Sequence, residues 1–511
     1  MPGPGPISAV TSLHKPRKDR GSPVLRPRSI QKLRSATIAV KILFVEPPKR
    51  FWFVMGEYLP PPLGILELAA YVESKMSDAE IEVLDCQASR VDWEGLGKYI
   101  ESSNPDIVAS SSLSTCNAYT TARTLATAKK VNPSILTVAG GQHFTATADE
   151  SLRMYPEIDA IIRGEGELTL VDLVGAVKHS RSFANIEGIS FQSGGRVFHN
   201  PERRLIANLD ELPLPAYHFV EDHARKYHFT MMTGPKTIYA LVEGSRGCPH
   251  RCTFCSQWKH WRGTYRSKSP RRIADEFEFL CRNFGAEFLW LTDDNFPLGN
   301  SAGRLCDEIM DRGIAEEIMW FVQARCDDVV HHGDLLPKMR SAGNMWILTG
   351  AESGSEETLR NVKKGISPGQ TGDAVRLMKK NGIFAQTTFI IGHRDDTHET
   401  LSDLREFVNS IDPDLAIFML LTPFPGTDVH EEAARNGWIE DSNWANYDMV
   451  HSIMPTETLN REELQEELVN CYRAFYGSWG RRFRGILSSN KLKRRTYRYM
   501  ASRSLLTQLK P

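Results

Sequence analysis

No run of apolar residues in this chain approaches the roughly 18 that a membrane-spanning helix needs. The opening residues lack the apolar core of a secretory signal. Charge of one sign is missing as well: 62 Lys and Arg stand against 63 Asp and Glu, a net charge of −1. Nothing therefore pulls the chain as a whole toward nucleic acid or anionic lipid. Cysteine is sparse and odd in number, nine in 511 residues. That argues against a secreted disulfide framework and fits a reducing cytoplasm. Hydrophobic residues at 41% and charged residues at 24% are ordinary globular values. The length allows two or three domains, each with its own core.

Three of the cysteines are concentrated in one stretch, Gly247-Cys248-Pro249-His250-Arg251-Cys252-Thr253-Phe254-Cys255. Short, tight thiolate runs are the usual holders of iron–sulfur clusters. A structural zinc site wants four ligands, and no fourth Cys or paired His stands at zinc spacing nearby, although His250 and His260 could be drafted in. Three thiolates on a four-iron cluster leave one iron open to a small molecule. Cys281, Cys306, Cys326 and Cys471 fall in periodic segments and read as buried thiols.

Residues 1–37 are rich in Pro, Gly, Ser, Arg and Lys and read as a disordered basic tail, or one that docks elsewhere. From 38 to about 180, apolar strand-like runs alternate with helical periods: 41–46, 81–85, 106–110, 135–139 and 159–162. This is the pattern of a doubly wound parallel sheet, Rossmann-like, with ligands beyond the strand carboxyl ends. Residues 181–235 read as a linker carrying a hairpin around Ser193-Gly194-Gly195. Over 236–430, six further strand-helix units begin at 238–242 and continue at 288–291, 319–322, 346–349, 387–391 and 415–420. Six such units make a partial (βα)6 TIM-like barrel, an α/β fold whose chemistry sits at the strand carboxyl ends. The cysteine stretch follows the first of these strands. Residues 431–511 read as a helical C-terminal region. Asn460 and Glu463 form a capping box, and Leu464, Leu468, Tyr472, Phe475 and Trp479 make a stripe that either packs on the barrel or closes a cavity.

The cysteine spacing, with Phe254 just before the last thiol, resembles the radical S-adenosylmethionine (radical SAM) superfamily. The resemblance implies a 4Fe-4S cluster on Cys248, Cys252 and Cys255, its open iron chelating SAM. Reductive cleavage of SAM then gives a radical that abstracts hydrogen from unreactive carbon. It also implies SAM contacts at the strand ends, from Asp293 or Asp294, from Arg325, and from Glu352 to the ribose, where a carboxylate can accept from both hydroxyls. Each of these also reads as a rim salt bridge or a helix cap. The sheet in front of the barrel resembles the superfamily's cobalamin-binding domains. Ser111 and Leu113 after the third strand, and Gly140 and Gly141 after the fourth, would make room for the cobalamin nucleotide tail. The Asp-x-His-x-x-Gly motif that supplies a lower axial His elsewhere is absent, and Glu46-Pro47-Pro48-Lys49 stands in its place. His143 is then either a ligand or a loop group near the corrin or phosphate. The turn Arg163-Gly164-Glu165-Gly166-Glu167 either touches the cofactor or starts a helix with favourable acidic charge.

Cys248 through Lys259, followed by Trp261-Arg262, is particularly similar to the anaerobic magnesium-protoporphyrin monomethyl ester oxidative cyclases. Related subgroups methylate lipids and natural products or close rings in membrane lipids. The resemblance implies a hydrophobic tetrapyrrole or lipid substrate, modified by methyl transfer or ring closure, and an external electron donor such as flavodoxin or ferredoxin. No individual catalytic residue is singled out. Trp258 and Trp261 form a helical face or wall the cavity. The tRNA methylthiotransferases share the radical core, but their added cysteine-bearing domain and RNA-binding barrel do not appear here, so no nucleic acid is expected. A cobalamin- or redox-sensing regulator is the alternative class. Intact cysteines and polar strand ends speak against it. The expected location is cytoplasmic. Beyond Gly480 the chain has many Lys and Arg and no acid, with Tyr497 and Tyr499 interleaved. That end is either solvated or peripheral to an anionic membrane.

Overall fold

The computed structural model describes residues 39–49, 58–234 and 236–508; the basic segment 1–37 lies outside them. In chain order the strands are β1 Val40–Glu46, β2 Tyr58–Leu59, β3 Ala79–Asp85, β4 Ile107–Ser111, β5 Leu136–Gly140, β6 Ala160–Ile162, β7 Ile189–Ser193, β8 Arg196–His199 and β9 His228–Phe229. They continue as β10 Tyr239–Val242, β11 Ser245–Arg246, β12 Arg266–Ser267, β13 Phe288–Leu291, β14 Met319–Ala324, β15 Asn344–Glu352, β16 Phe384–Ile391 and β17 Leu415–Leu420.

The first sheet runs β3-β1-β4-β5-β6-β7-β8, and its first five strands are parallel. Alternate residues of one strand serve opposite layers. Ile42 and Phe44 pack with the helices Leu63–Lys75 and Glu167–Lys178. Leu43 and Val45 pack with the helices Trp93–Ser103 and Ala118–Val131. This is the expected doubly wound arrangement. Strand order reverses between β1 and β4, the position at which such sheets bind ligands. The hairpin expected in a linker instead extends this sheet as antiparallel β7 and β8.

The second sheet is parallel throughout, in the order β10-β13-β14-β15-β16-β17. Its concave side is filled by rings: Trp290 stacks 4.8 Å from Phe321, and Phe321 4.0 Å from Trp346. The antiparallel β2–β9 ribbon plugs this interior, with Tyr58 against Trp290 and Phe229 against Trp346.

An open barrel leaves two edge strands with unpaired backbone groups, and tyrosine hydroxyls serve both. On β10, Tyr217 donates to the Leu241 carbonyl at 2.7 Å and accepts from its amide at 3.0 Å. On β17, Tyr476 does the same for Ala416 (2.7 and 3.0 Å) and Tyr472 for Phe418 (2.9 and 3.3 Å). Both belong to the capping-box helix Arg461–Tyr476, whose Leu464, Leu468 and Phe475 are buried against β16 and β17. The helix therefore packs on the barrel edge and is no lid. Trp479 departs from the expected stripe: the helix ends before it, and it is exposed. Cys306, Cys326 and Cys471 are buried as expected, whereas Cys281 is only half-buried at the end of its helix. Tyr476→Phe should unpair the Ala416 amide and carbonyl and cost about 1–3 kcal/mol in denaturant unfolding. Deoxyadenosine formation from SAM should be unchanged; a selective loss of that activity would return the helix to a lid role.

Candidate active site

The cysteine loop leaves β10 and returns through the antiparallel β11–β12 ribbon, which closes its base. Gly247 opens it at φ +91°, where a Cβ would stand 2.2 Å from the Thr264 carbonyl oxygen, so only glycine fits. The Cys252 carbonyl accepts the Cys255 amide and the Trp258 indole N–H, each at 3.1 Å. The Thr253 amide donates to Val362 at 3.1 Å, tying the loop to the segment after β15. Phe254 packs toward Ile390 and Leu421 on the last barrel strands.

All three thiols are free. Burial pushes them above the ordinary thiol value, Cys255 to about 12. Lys364 and Arg325 act against that shift at Cys252. Lys364 is a site residue that sequence reasoning missed: it is buried, and its Nζ lies 2.6 Å from Glu352 Oε1. Glu352 sits at φ +64° beside a register shift in β15, which turns it off the strand line. Arg325 grips Asp327 with two bonds of 2.9 and 3.0 Å and donates to the Lys364 carbonyl at 2.9 Å.

The adjacent carboxylates after β13 have different surroundings. Asp293 gives Oδ1 to the Gly244 and Ser245 amides, at 2.8 and 2.9 Å, and Oδ2 to the Ser245 hydroxyl at 2.7 Å. It braces the root of the cysteine loop. Asp294 stands beside Cys248 and Cys255, and burial raises its carboxyl to about 7.

On the facing sheet, Gly141 has φ +90°, and a Cβ there would fall 2.4 Å from the Ser112 carbonyl oxygen. Its glycine is demanded by the protein's own loops. A Cβ on Gly140 would meet only the Ile162 carbonyl oxygen at 3.8 Å, so that side is open. Ser111 is half-buried, and Leu113 next to it is 75% exposed. His143 is buried edge-on against Phe144 and Trp444, with Nδ1 3.3 Å from the Thr115 hydroxyl. Burial lowers it to about 4, which keeps the ring neutral.

The strand ends of the two sheets meet. Gln142, which begins the helix after β5, donates to Gln257, two residues past Cys255, at 2.5 Å. Arg246 on β11 reaches back to Glu165 at 2.9 Å and Glu167 at 2.6 Å, while Glu243 holds its Nε at 2.8 Å. Arg266 on β12 adds a second cation to Glu165 at 2.7 Å. The Gly-Glu-Gly-Glu turn does start a helix, and its carboxylates also lock the two domains together.

Among the described residues, no group of three or more His, Cys, Asp or Glu is set to hold a single metal ion. Thiolates on one tetrahedral zinc would stand about 3.8 Å apart. A loop of three free thiols with Lys364 and Arg325 beside it suits a multi-iron cluster. The bare backbone at Gly140 beside exposed Leu113 suits a large flat cofactor with a long tail. The sequence pattern of the Radical SAM superfamily matches residues 242–408, and that of the B12 binding domain matches residues 55–174. An uncharacterized methyltransferase of Pyrococcus horikoshii is 32% identical over 86% of this chain and 92% of its own length. The chain belongs to the cobalamin-binding radical SAM enzymes. The anaerobic magnesium-protoporphyrin IX monomethyl ester cyclase of Rubrivivax gelatinosus is also 32% identical, over 81% of this chain and 74% of that one. The fold is shared with the radical SAM methyltransferase TsrM of Kitasatospora setae, at TM-score 0.66 and 18% identity, covering 86% of this chain and 89% of that one. This radical SAM enzyme thus uses a 4Fe-4S cluster, SAM and cobalamin, within a family of methyltransferases and cyclases.

Arg246→Ala should strand Glu167 and Glu243 without a cation, leave Glu165 only Arg266, and cost about 3–5 kcal/mol in guanidinium unfolding. Arg246→Lys should recover only part of that, because one ammonium cannot serve three carboxylates in a fork geometry. A loss below about 1 kcal/mol for the alanine variant would mean that water already serves this cluster.

Proposed function

We propose that this enzyme modifies an unactivated carbon of a large, mostly apolar substrate, a tetrapyrrole or a lipid, by methyl transfer or oxidative ring closure. The contact between Gln142 and Gln257 at 2.5 Å is the observation that carries the reading. It sets the carboxyl end of the first sheet against the cysteine loop, and group transfer needs near-contact between reacting atoms. When bound, the cluster with SAM supplies a hydrogen-abstracting radical, and cobalamin supplies a methyl group or an electron. Cys248, Cys252 and Cys255 would hold the cluster, with Phe254 shielding it from the barrel side. Asp294 lies where a carboxyl could accept from an amino group. Glu352, with Oε1 fixed by Lys364, would offer Oε2 to a ribose hydroxyl. Arg325 and Lys364 would offset negative charge on the thiolates, and Asp293 would hold the loop's root. Ser111, Leu113 and Gly140 would line the cobalamin tail. The packing of His143 supports a loop role rather than a cobalt ligand. Trp258 and Trp261 would wall the substrate space. Electrons would come from an external donor such as flavodoxin or ferredoxin, and the enzyme would work in the cytoplasm with peripheral membrane contact.

Anaerobic reconstitution with tetrapyrrole and lipid extracts, followed by mass analysis, should reveal a product that has gained a methyl group or lost hydrogen. Cys252→Ala should abolish iron retention and deoxyadenosine formation while the thermal melt of the barrel persists. Retained deoxyadenosine would sink the cluster assignment. Gly140→Leu should lower cobalamin uptake at least about tenfold with the fold intact, since the protein itself leaves that Cβ room. Gly141→Ala should instead destabilise the sheet by about 2 kcal/mol or more through a left-handed backbone and a close carbonyl. Equal cobalamin uptake by Gly140→Leu would move the cofactor away from β5.

A further inference from the structure

Trp479, Phe483 and Leu487 are 72%, 60% and 73% exposed. Trp479 opens the helix Trp479–Ile486 and Leu487 caps it, so side chains four residues apart share one face. Exposed Arg482 and Arg484 flank the stripe, and the Arg482 guanidinium lies 5.6 Å from the Trp479 ring. After Glu467 the chain contains no Asp or Glu. Two acids from the barrel, Asp412 and Asp414, are engaged by Arg481 and Lys493 at 2.7 Å each. The next helix, Lys491–Gln508, borders a cavity of about 530 Å³ against Thr230 and Gly234, lined by Lys491, Arg494, Arg495 and Arg498. Tyr497, which the sequence placed on an interfacial face, is buried against Gly485.

We propose that this face docks the enzyme on an anionic phospholipid bilayer, which rests on the peripheral contact suggested above and moves it from Tyr497 to the helix Trp479–Ile486. Trp479, Phe483 and Leu487 enter the boundary between headgroups and acyl chains, and the surrounding arginines meet lipid phosphates. A short helix with an apolar face, a basic flank and an aromatic at its edge is built to lie in that interface. No described helix is long and apolar enough to cross a membrane, so the contact is superficial. A second copy of the chain is a poor occupant, because two such faces would bring like charges together. Nucleic acid would satisfy the arginines but leave Leu487 and Phe483 with little to gain.

The test uses full-length protein sedimented with phosphatidylcholine vesicles, with and without phosphatidylglycerol. Binding to the anionic vesicles should exceed binding to neutral ones and fall with added salt. Replacing Trp479 and Phe483 together with Ser should weaken that binding at least about tenfold. The same variant should keep the parent's melting temperature and deoxyadenosine formation, which separates failure of docking from failure of the catalytic reading. Arg484→Glu, which leaves the apolar stripe intact, should weaken binding to anionic vesicles only. Equal vesicle binding by the parent and the Ser variant would overturn the proposal. So would loss of a dimer in the Ser variant, or displacement by inorganic pyrophosphate or a single-stranded RNA oligomer at an ionic strength where sodium chloride alone leaves the protein bound.

Discussion

Arg246 carries its charge into a place with almost no water, 3% exposed. A lone buried guanidinium would be very costly, so the site exists only because Glu165, Glu167 and Glu243 surround it. Two of these carboxylates come from the first sheet and one from the barrel, so neither domain can satisfy the arginine alone. Glu67, 3.8 Å away, is held well above the usual carboxylate range by burial and by Glu243. Arg246 also lies two residues before Cys248. The pair network therefore fixes the base of the cysteine loop and the mutual orientation of the domains in one step. The Gln142–Gln257 contact between the strand ends follows from that orientation.

The barrel's incompleteness is the second constraint. Six strands cannot close a ring that eight strands fill, so the edges need other partners. Tyr217 comes from the segment joining the two domains, and Tyr472 and Tyr476 from the C-terminal helix. Each hydroxyl both donates and accepts, so one side chain replaces one residue of a neighbouring strand. The chain outside the barrel is thus required for the barrel's integrity. The polar rims are left free for the loops after β10, β13 and β15, where the thiols, Asp294 and Glu352 gather.

The alternation of strand and helix, the order of the two domains and the cysteine loop were legible in the sequence because each is local. Residues two or four apart report which side of an element is buried, and a thiol triplet within one loop needs no distant partner to be seen. What was not legible depends on pairing across long separations. The carboxylates of the Gly164–Glu167 turn could not be matched to Arg246 some 80 residues on. Asp293 and Asp294 look alike on paper, yet the turn after β13 gives them different partners. Asp293 takes Gly244 and Ser245 before the thiols, and Asp294 takes Gly247 and Trp261 on either side of them. Lys364 lies in an ordinary run of lysines and becomes a site residue only because a bulge in β15 turns Glu352 toward it. Trp479 kept the helical spacing of the stripe before it, and the break at Gly477 sent it to the surface instead.

The two ends of the barrel carry separate duties. Arg481 and Lys493 are pinned at Asp412 and Asp414, and Asn490 bonds the Gly382 carbonyl at 3.2 Å. All three anchors lie just before β16 or β17, at the amino ends of the strands. The thiols, Glu352 and the facing Gly140 lie at carboxyl ends. Strands of this length place roughly 15–25 Å between the two, farther than a Debye length at physiological salt. A charged surface held against the C-terminal helices would therefore barely alter the field at the cysteine loop. It would also leave the seam between the two sheets open to solvent, since that seam lies at the opposite end. A substrate would then have to reach the cysteine loop from the aqueous side.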